Sequence, residues 1–263
     1  MFVSRRSQTR ETDRATALRR LFLALVLATG ALEARAQDYQ REERWEAEVL
    51  SSLVVGKAVR IGLPRSGTFL ALYTEGRAGR PAVVLVHGIG VHPDHGVIGI
   101  LRVALADSGL STLSIQMPVL AADARSEDYL PLFPEAAARI AAAADWLNAK
   151  GYRTIVLLSH SLGSWMSQYY LQSAKAAPFA AWICMSRDGE LAEPARAIPI
   201  LDVYAADDLP VVLRYAGERR RILQRVPGGR QIVIAGADHF YTGKESELTE
   251  ALLAFVEASV PRP

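Results

Sequence analysis

Thr154-Ile155-Val156-Leu157-Leu158-Ser159-His160-Ser161-Leu162-Gly163, followed by Ser164-Trp165-Met166-Ser167-Gln168-Tyr169-Tyr170, decides how the chain is read. Thr154 to Leu158 form a short, nearly continuous apolar run, the pattern of a strand buried on both faces. Gly163 to Ala174 have helical composition, so strand must give way to helix within about five residues. Such a turn holds its central residue, Ser161, in a strained backbone conformation with the hydroxyl exposed. Strand and helix close on each other there, so the residues two before and two after Ser161 must be small. Gly163 meets that demand fully and Ser159 nearly so. An isolated serine at this place also reads as an ordinary helix N-cap, so the neighbouring segments have to decide.

Working outward, short apolar runs alternate with helix-period stretches, as expected when crossover helices cover both faces of a mostly parallel sheet. Strands are predicted at Ala82 to Val86, Ser111 to Gln116, Thr154 to Leu158, Ala180 to Met185, Ile198 to Tyr204 and Gln231 to Ile234. Helices are predicted near Val97 to Ser108, Pro134 to Lys150, Gly163 to Ala174, Val211 to Gln224 and Glu245 to Val260. Pro134 suits a first helical turn and Gly151 a C-terminal cap. Before them, alternating runs at Ala58 to Leu63 and Thr68 to Thr74 predict an antiparallel hairpin. Tyr39 to Leu53 predicts an amphipathic helix with Trp45, Val49 and Leu53 on one stripe.

Residues 1–36 carry an arginine-containing start, the apolar run Leu21 to Ala28, and Ala34-Arg35-Ala36, which together read as an export signal cleaved after Ala36. The apolar run is shorter than the roughly 20 residues a spanning helix needs, so no stable membrane anchor is expected after cleavage. Arg19-Arg20-Leu21-Phe22-Leu23 is similar to a twin-arginine signal, which leaves the export route open. Residues 37–263 then form a single domain in a periplasmic or secreted protein. The whole chain carries +2 and the leader +4, from seven Arg against three acids, leaving about −2. Near-neutrality gives no electrostatic reason for a nucleic-acid partner. Cys184 is the one cysteine; its apolar neighbours predict a buried, inert thiol.

In open α/β sheets, ligands bind beyond the carboxyl ends of the strands, where three loops stand out. They are Ser159 to Gly163, Ala205-Ala206-Asp207-Asp208-Leu209-Pro210, and Gly236-Ala237-Asp238-His239-Phe240. With these motifs in the order Ser, acid, His, the chain resembles the α/β-hydrolase superfamily over nearly its whole length after the leader. His87-Gly88-Ile89-Gly90-Val91-His92-Pro93-Asp94 and Leu113-Ser114-Ile115-Gln116-Met117-Pro118 are similar to segments in a family of exported bacterial proteins with that fold. Ser159 departs from the usual G-x-S-x-G pattern.

The resemblance implies a serine hydrolase in which Ser161 is the nucleophile, His239 its base and Asp208 the orienting acid, with Asp207 the alternative. Serine stays protonated at neutral pH, so its attack needs a base, and the base needs a carboxylate to fix its tautomer. Backbone N–H groups of Ile89 and Leu162 are implied as the oxyanion donors, with His87, Gly88, Gly90, His160 and Gly163 in support. The expected substrate is a small-molecule ester or thioester. No phosphate cradle or dinucleotide fingerprint follows the first parallel strand, so no cofactor is implied. His92, Asp94 and His95 read as a loop near the pocket, with metal binding the alternative. Arg219-Arg220-Arg221, with Arg225 and Arg230, read as a solvated helix face. The connection from Met185 to Ile198 is too short for a large cap domain, and Ala121 to Phe133 reads as one wall of the site. A rival function, a non-catalytic binding or cell-envelope interaction protein on the same fold, draws its support from Ser159.

Overall fold

The structure is a computed structural model, described for residues 37–63, 67–174 and 178–260. The leader reading, residues 1–36, lies outside the described residues. Residues from Gln37 onward form one compact unit. It runs α1 (Tyr39–Ser52), β1 (Lys57–Gly62), β2 (Thr68–Thr74), β3 (Ala82–Val86), α2 (Gly96–Asp107) and β4 (Ser111–Ile115). A short 3-10 helix (Ser126–Leu132) then leads into α3 (Phe133–Ala149). The order continues β5 (Ile155–His160), α4 (Leu162–Ser173), β6 (Phe179–Met185), β7 (Ile200–Asp207), α5 (Pro210–Leu223), β8 (Arg230–Asp238) and α6 (Glu245–Ser259).

The eight strands form one sheet in the order β1-β2-β4-β3-β5-β6-β7-β8. β1 and β2 pair antiparallel, β2 joins β4 antiparallel, and every other pairing is parallel. Both faces are covered, which explains the uninterrupted apolar runs: successive residues of one strand enter different cores. Val84, Val86 and Leu157 pack with α3 and α4, whereas Val83, Leu85, Val156 and Leu158 pack with α2 and α6. A smaller cluster joins Val49 of α1 to Leu70 and Leu72 of β2. The chain leaves β3 toward β4 on one side and meets β5 on the other, so the topological switch point, where open α/β sheets bind their ligands, falls at the carboxyl ends of β3 and β5.

Strand β5 extends through His160 and α4 begins at Leu162, so the turn narrows to Ser161 alone. Residues 186–199, between β6 and β7, contain no helix or strand, and no cap domain is inserted there. One reading needs correction. Arg219 lies on the inner side of α5, fully buried, with Nε 2.8 Å from Asp202 Oδ2. It is not part of a solvated face. An inward Asp on β7 supplies the countercharge, so helix orientation overrides charge patterning at this position.

Candidate active site

The turn after β5 is strained as its sequence predicts. Ser161 has φ 54° and ψ −126°, a region costly for a residue with a Cβ. Its N–H donates to Met185 O at 2.9 Å, tying the turn to the end of β6. Gly163 is sterically obligatory: a Cβ there would lie 2.4 Å from His87 O and 2.8 Å from Val86 O. Ser159 is accommodated by a specific partner. Trp182 Nε1–H on β6 donates to its Oγ at 2.8 Å, so the extra hydroxyl is satisfied inside the core.

Ser161, His239 and Asp208 converge at the carboxyl ends of β5, β8 and β7. His239 Nε2 lies 3.2 Å from Ser161 Oγ, and Nδ1 lies 2.6 Å from Asp208 Oδ1. Asp208 receives three further donors: Leu209 N–H at 2.8 Å, Ser186 Oγ–H at 2.6 Å and Ala205 N–H at 3.1 Å. Burial pushes this carboxyl up, but the hydrogen bonds from His239, Ser186 and Ala205 outweigh it and hold it below its ordinary value. An ionised carboxylate only accepts, so Nδ1 carries the imidazole proton and Nε2 is left to accept from Ser161. Asp207, by contrast, is exposed. The β7–β8 register slips between Ala205 and Asp207, and such a slip re-aims successive side chains.

No protein-family model and no curated protein sequence matches the chain. Solved structures do resemble it. A dienelactone hydrolase from Anabaena variabilis superposes with TM-score 0.62 at 18% identity, covering 78% of this chain and 98% of its own. Est1E from Butyrivibrio proteoclasticus gives 0.60 at 16%, covering 77% and 98%. XC6422 from Xanthomonas campestris, described as an α/β serine hydrolase without lid, gives 0.60 at 17%, covering 80% and 97%. The chain has the α/β-hydrolase fold.

In the α/β-hydrolase frame, the loop after β3 faces the serine turn: a Cβ on Gly88 would stand 3.3 Å from Ser161 Cβ. Gly90 takes φ +63°, a conformation that favours glycine. Leu162 opens α4, so its N–H has no partner within the helix. His87 is buried, and burial pushes it down to about 3, so its ring is neutral. Its Nε2 accepts Met117 N–H at 2.9 Å; the proton therefore sits on Nδ1, which donates to Gly88 O at 2.9 Å. His160, likewise kept neutral by burial at about 4, has Nε2 2.9 Å from His239 O. It donates to that carbonyl and buttresses the histidine loop.

Of the remaining loop residues, Asp94 pairs with Arg102 at 2.5 Å, and His92 lies between the rings of Trp45 and His95 at 5.9 and 5.4 Å. In the stretch Ala121 to Phe133, Tyr129 and Phe133 are buried in the core and Leu130 is exposed. Cys184 is buried, and burial pushes its thiol up to about 12, so it is not a thiolate. Two residues of the site escaped sequence reasoning. Ser186 and Tyr241 both have positive φ, at 46° and 58°, and their hydroxyls lie 2.8 Å apart behind Asp208. Neither belongs to a motif; only their place, one after β6 and the other two past His239, could have drawn attention.

Proposed function

We propose that this protein is a serine hydrolase that cleaves a carboxylic ester or thioester through an acyl-enzyme. The observation that carries this reading is the unbroken hydrogen-bonded chain from the strained Ser161 through His239 to Asp208. Ser161 Oγ attacks the carbonyl carbon as His239 Nε2 takes its proton, and the carbonyl π pair moves onto oxygen. The N–H groups of Ile89 and Leu162 stabilise that oxyanion. Collapse breaks the bond to the alcohol or thiol, which receives the proton from His239. Water, deprotonated by the same ring, then frees the acid and regenerates Ser161. Asp208 stays ionised throughout and steadies the imidazolium.

Support comes also from the similar structures, which are described as a dienelactone hydrolase, esterases and serine hydrolases. One structure of Est1E has ferulic acid bound, in keeping with a small-molecule ester as substrate here. The binder reading loses its motive once Ser159 is seen to have a partner in Trp182. A fluorophosphonate probe should label the protein and leave Ser161→Ala unlabelled; equal labelling of both would refute the assignment. Aryl esters of graded acyl length, a thioester and a peptide then define the substrate. We further propose that residues 1–36 direct export to the periplasm or medium. Mass spectrometry of the exported protein should find Gln37 as its first residue.

A further inference from the structure

The oxyanion loop is held by several side chains, and one of them comes from the N-terminal helix. His87 Nδ1–H fixes Gly88 O from within the core. From α1, the Arg41 guanidinium donates through Nη2 to Gly90 O at 3.1 Å and through Nη1 to Leu120 O at 2.7 Å. The peptide that carries the Ile89 N–H thus has its own carbonyl, Gly88 O, pinned by His87, and the carbonyl two peptides on, Gly90 O, pinned by Arg41. Gly90, with φ +63° and no side chain, lacks intrinsic stiffness, so outside contacts set where this segment points: Arg41 on Gly90 O, Tyr129 on the Gly90 backbone and Gln116 Nε2 on Val91 O at 3.4 Å.

Arg41 is itself well placed to act as a clamp. Its backbone N–H is capped by the Asp38 carboxylate at 2.9 Å, and Asp38 N–H donates to Val119 O at 2.8 Å. One residue on, Glu42 pairs with the buried Arg139 at 2.9 Å, and Arg139 Nη1 also donates to Gln116 O at 2.9 Å. The guanidinium stacks 4.4 Å over Trp45, whose ring lies 5.9 Å from that of His92. The first turn of α1 therefore bridges the loops after β3 and β4, and Arg41 reaches a backbone carbonyl in each.

We infer that Arg41 is a positioning residue for the oxyanion hole: by clamping Gly90 O to Leu120 O it aims the Ile89 N–H at the oxygen that becomes negative. This rests on the serine-hydrolase reading above. Preorganised donors act on the transition state more than on bound substrate. The signature is a loss in kcat with KM preserved, and a parallel loss in affinity for a tetrahedral mimic.

The test uses the chain without its leader, a short-chain aryl ester and an aryl boronic acid, which adds Ser161 Oγ to give a tetrahedral anion. Arg41→Ala should lower kcat about tenfold and raise the boronate Ki by a similar factor, with KM within about twofold. Arg41→Lys, able to reach one carbonyl but not two, should fall between. Glu46→Gln, which removes the 2.6 Å ion pair from α1 to Arg60 on β1, is the control for general loosening and should keep kcat within about twofold. The inference is overturned if kcat and Ki are unchanged in Arg41→Ala, if KM alone rises, or if Glu46→Gln loses as much. Should Arg41→Ala not fold, Arg41→Lys decides by the same criteria. A wild type that neither hydrolyses esters nor takes the fluorophosphonate label sinks the parent reading and this one together. An active wild type with indifferent Arg41 variants sinks only this one.

Discussion

Ser186 Oγ lies 2.6 Å from Asp208 Oδ2 and donates its only proton there, because an ionised carboxylate has none to offer. Tyr241, 2.8 Å behind Ser186 and 3.1 Å from Val203 O, holds that serine in place. Replacing Ser186 by Ala removes one of the hydrogen bonds that hold Asp208 below its ordinary value, so the carboxyl should titrate higher. A depressed folded-state value stabilises above the unfolded value of 3.8 and is lost as pH falls through the folded one. The acid-side fall in melting temperature due to this carboxyl should therefore be smaller in the variant and be complete at a higher pH. Coincident pH profiles would show that Ser186 does not act through Asp208.

Asp207 and Asp208 are neighbours with opposite surroundings, and their amide variants should separate cleanly. Asp208→Asn leaves an amide that can present its NH2 to His239 and favour the wrong tautomer. A loss on the order of 10⁴ in kcat is expected. Asp207 is exposed and bonded to nothing in the site, so Asp207→Asn should stay within about twofold of wild type. Comparable losses in both would mean that the register slip after Ala205 does not sort the two side chains as the structure has them.

The two small positions flanking Ser161 should respond differently to change. Gly163→Ala forces a methyl to 2.4 Å from His87 O, where backbone must shift on both sides. That should cost about 1–3 kcal/mol of stability in urea unfolding and abolish fluorophosphonate labelling. Ser159→Gly restores the commoner pattern but strands the Trp182 indole N–H in the core, at about 1–3 kcal/mol. Labelling should survive that loss, because the turn itself gains freedom. An unchanged unfolding midpoint in Ser159→Gly would count against the Trp182 bond.

Arg219 and Asp202 are fully buried partners, with Gln231 Nε2 also 2.8 Å from Asp202 Oδ2. Removing one charge strands the other, so Arg219→Met should destabilise by roughly 3–5 kcal/mol. The double variant Arg219→Met with Asp202→Leu should recover much of it. Denaturant titrations of the single and double variants test this, and equal midpoints in Arg219→Met and wild type would contradict it.

Much of this protein follows from local pattern. Buried strands read as unbroken apolar runs, helices as periodic ones, and the small residue after Ser161 reports the close approach of strand and helix. The amino-acid order alone thus determined an open α/β sheet, the turn at Ser161 and the loops that carry His239 and the paired acids. Ser161 and His239 are 78 residues apart, and only the sheet order β3-β5-β6-β7-β8 makes them neighbours. Asp207 stayed open as the alternative to Asp208 until the fold separated them, burying Asp208 under its donors and leaving Asp207 exposed. The burial of Arg219, the acceptance of Ser159 by Trp182, the Ser186–Tyr241 pair and the reach of Arg41 to Gly90 likewise belong to tertiary structure. Each is a polar group bonded to a partner distant in the chain. Periodicity states which residues are buried, whereas hydrogen bonds across the core depend on which elements lie side by side.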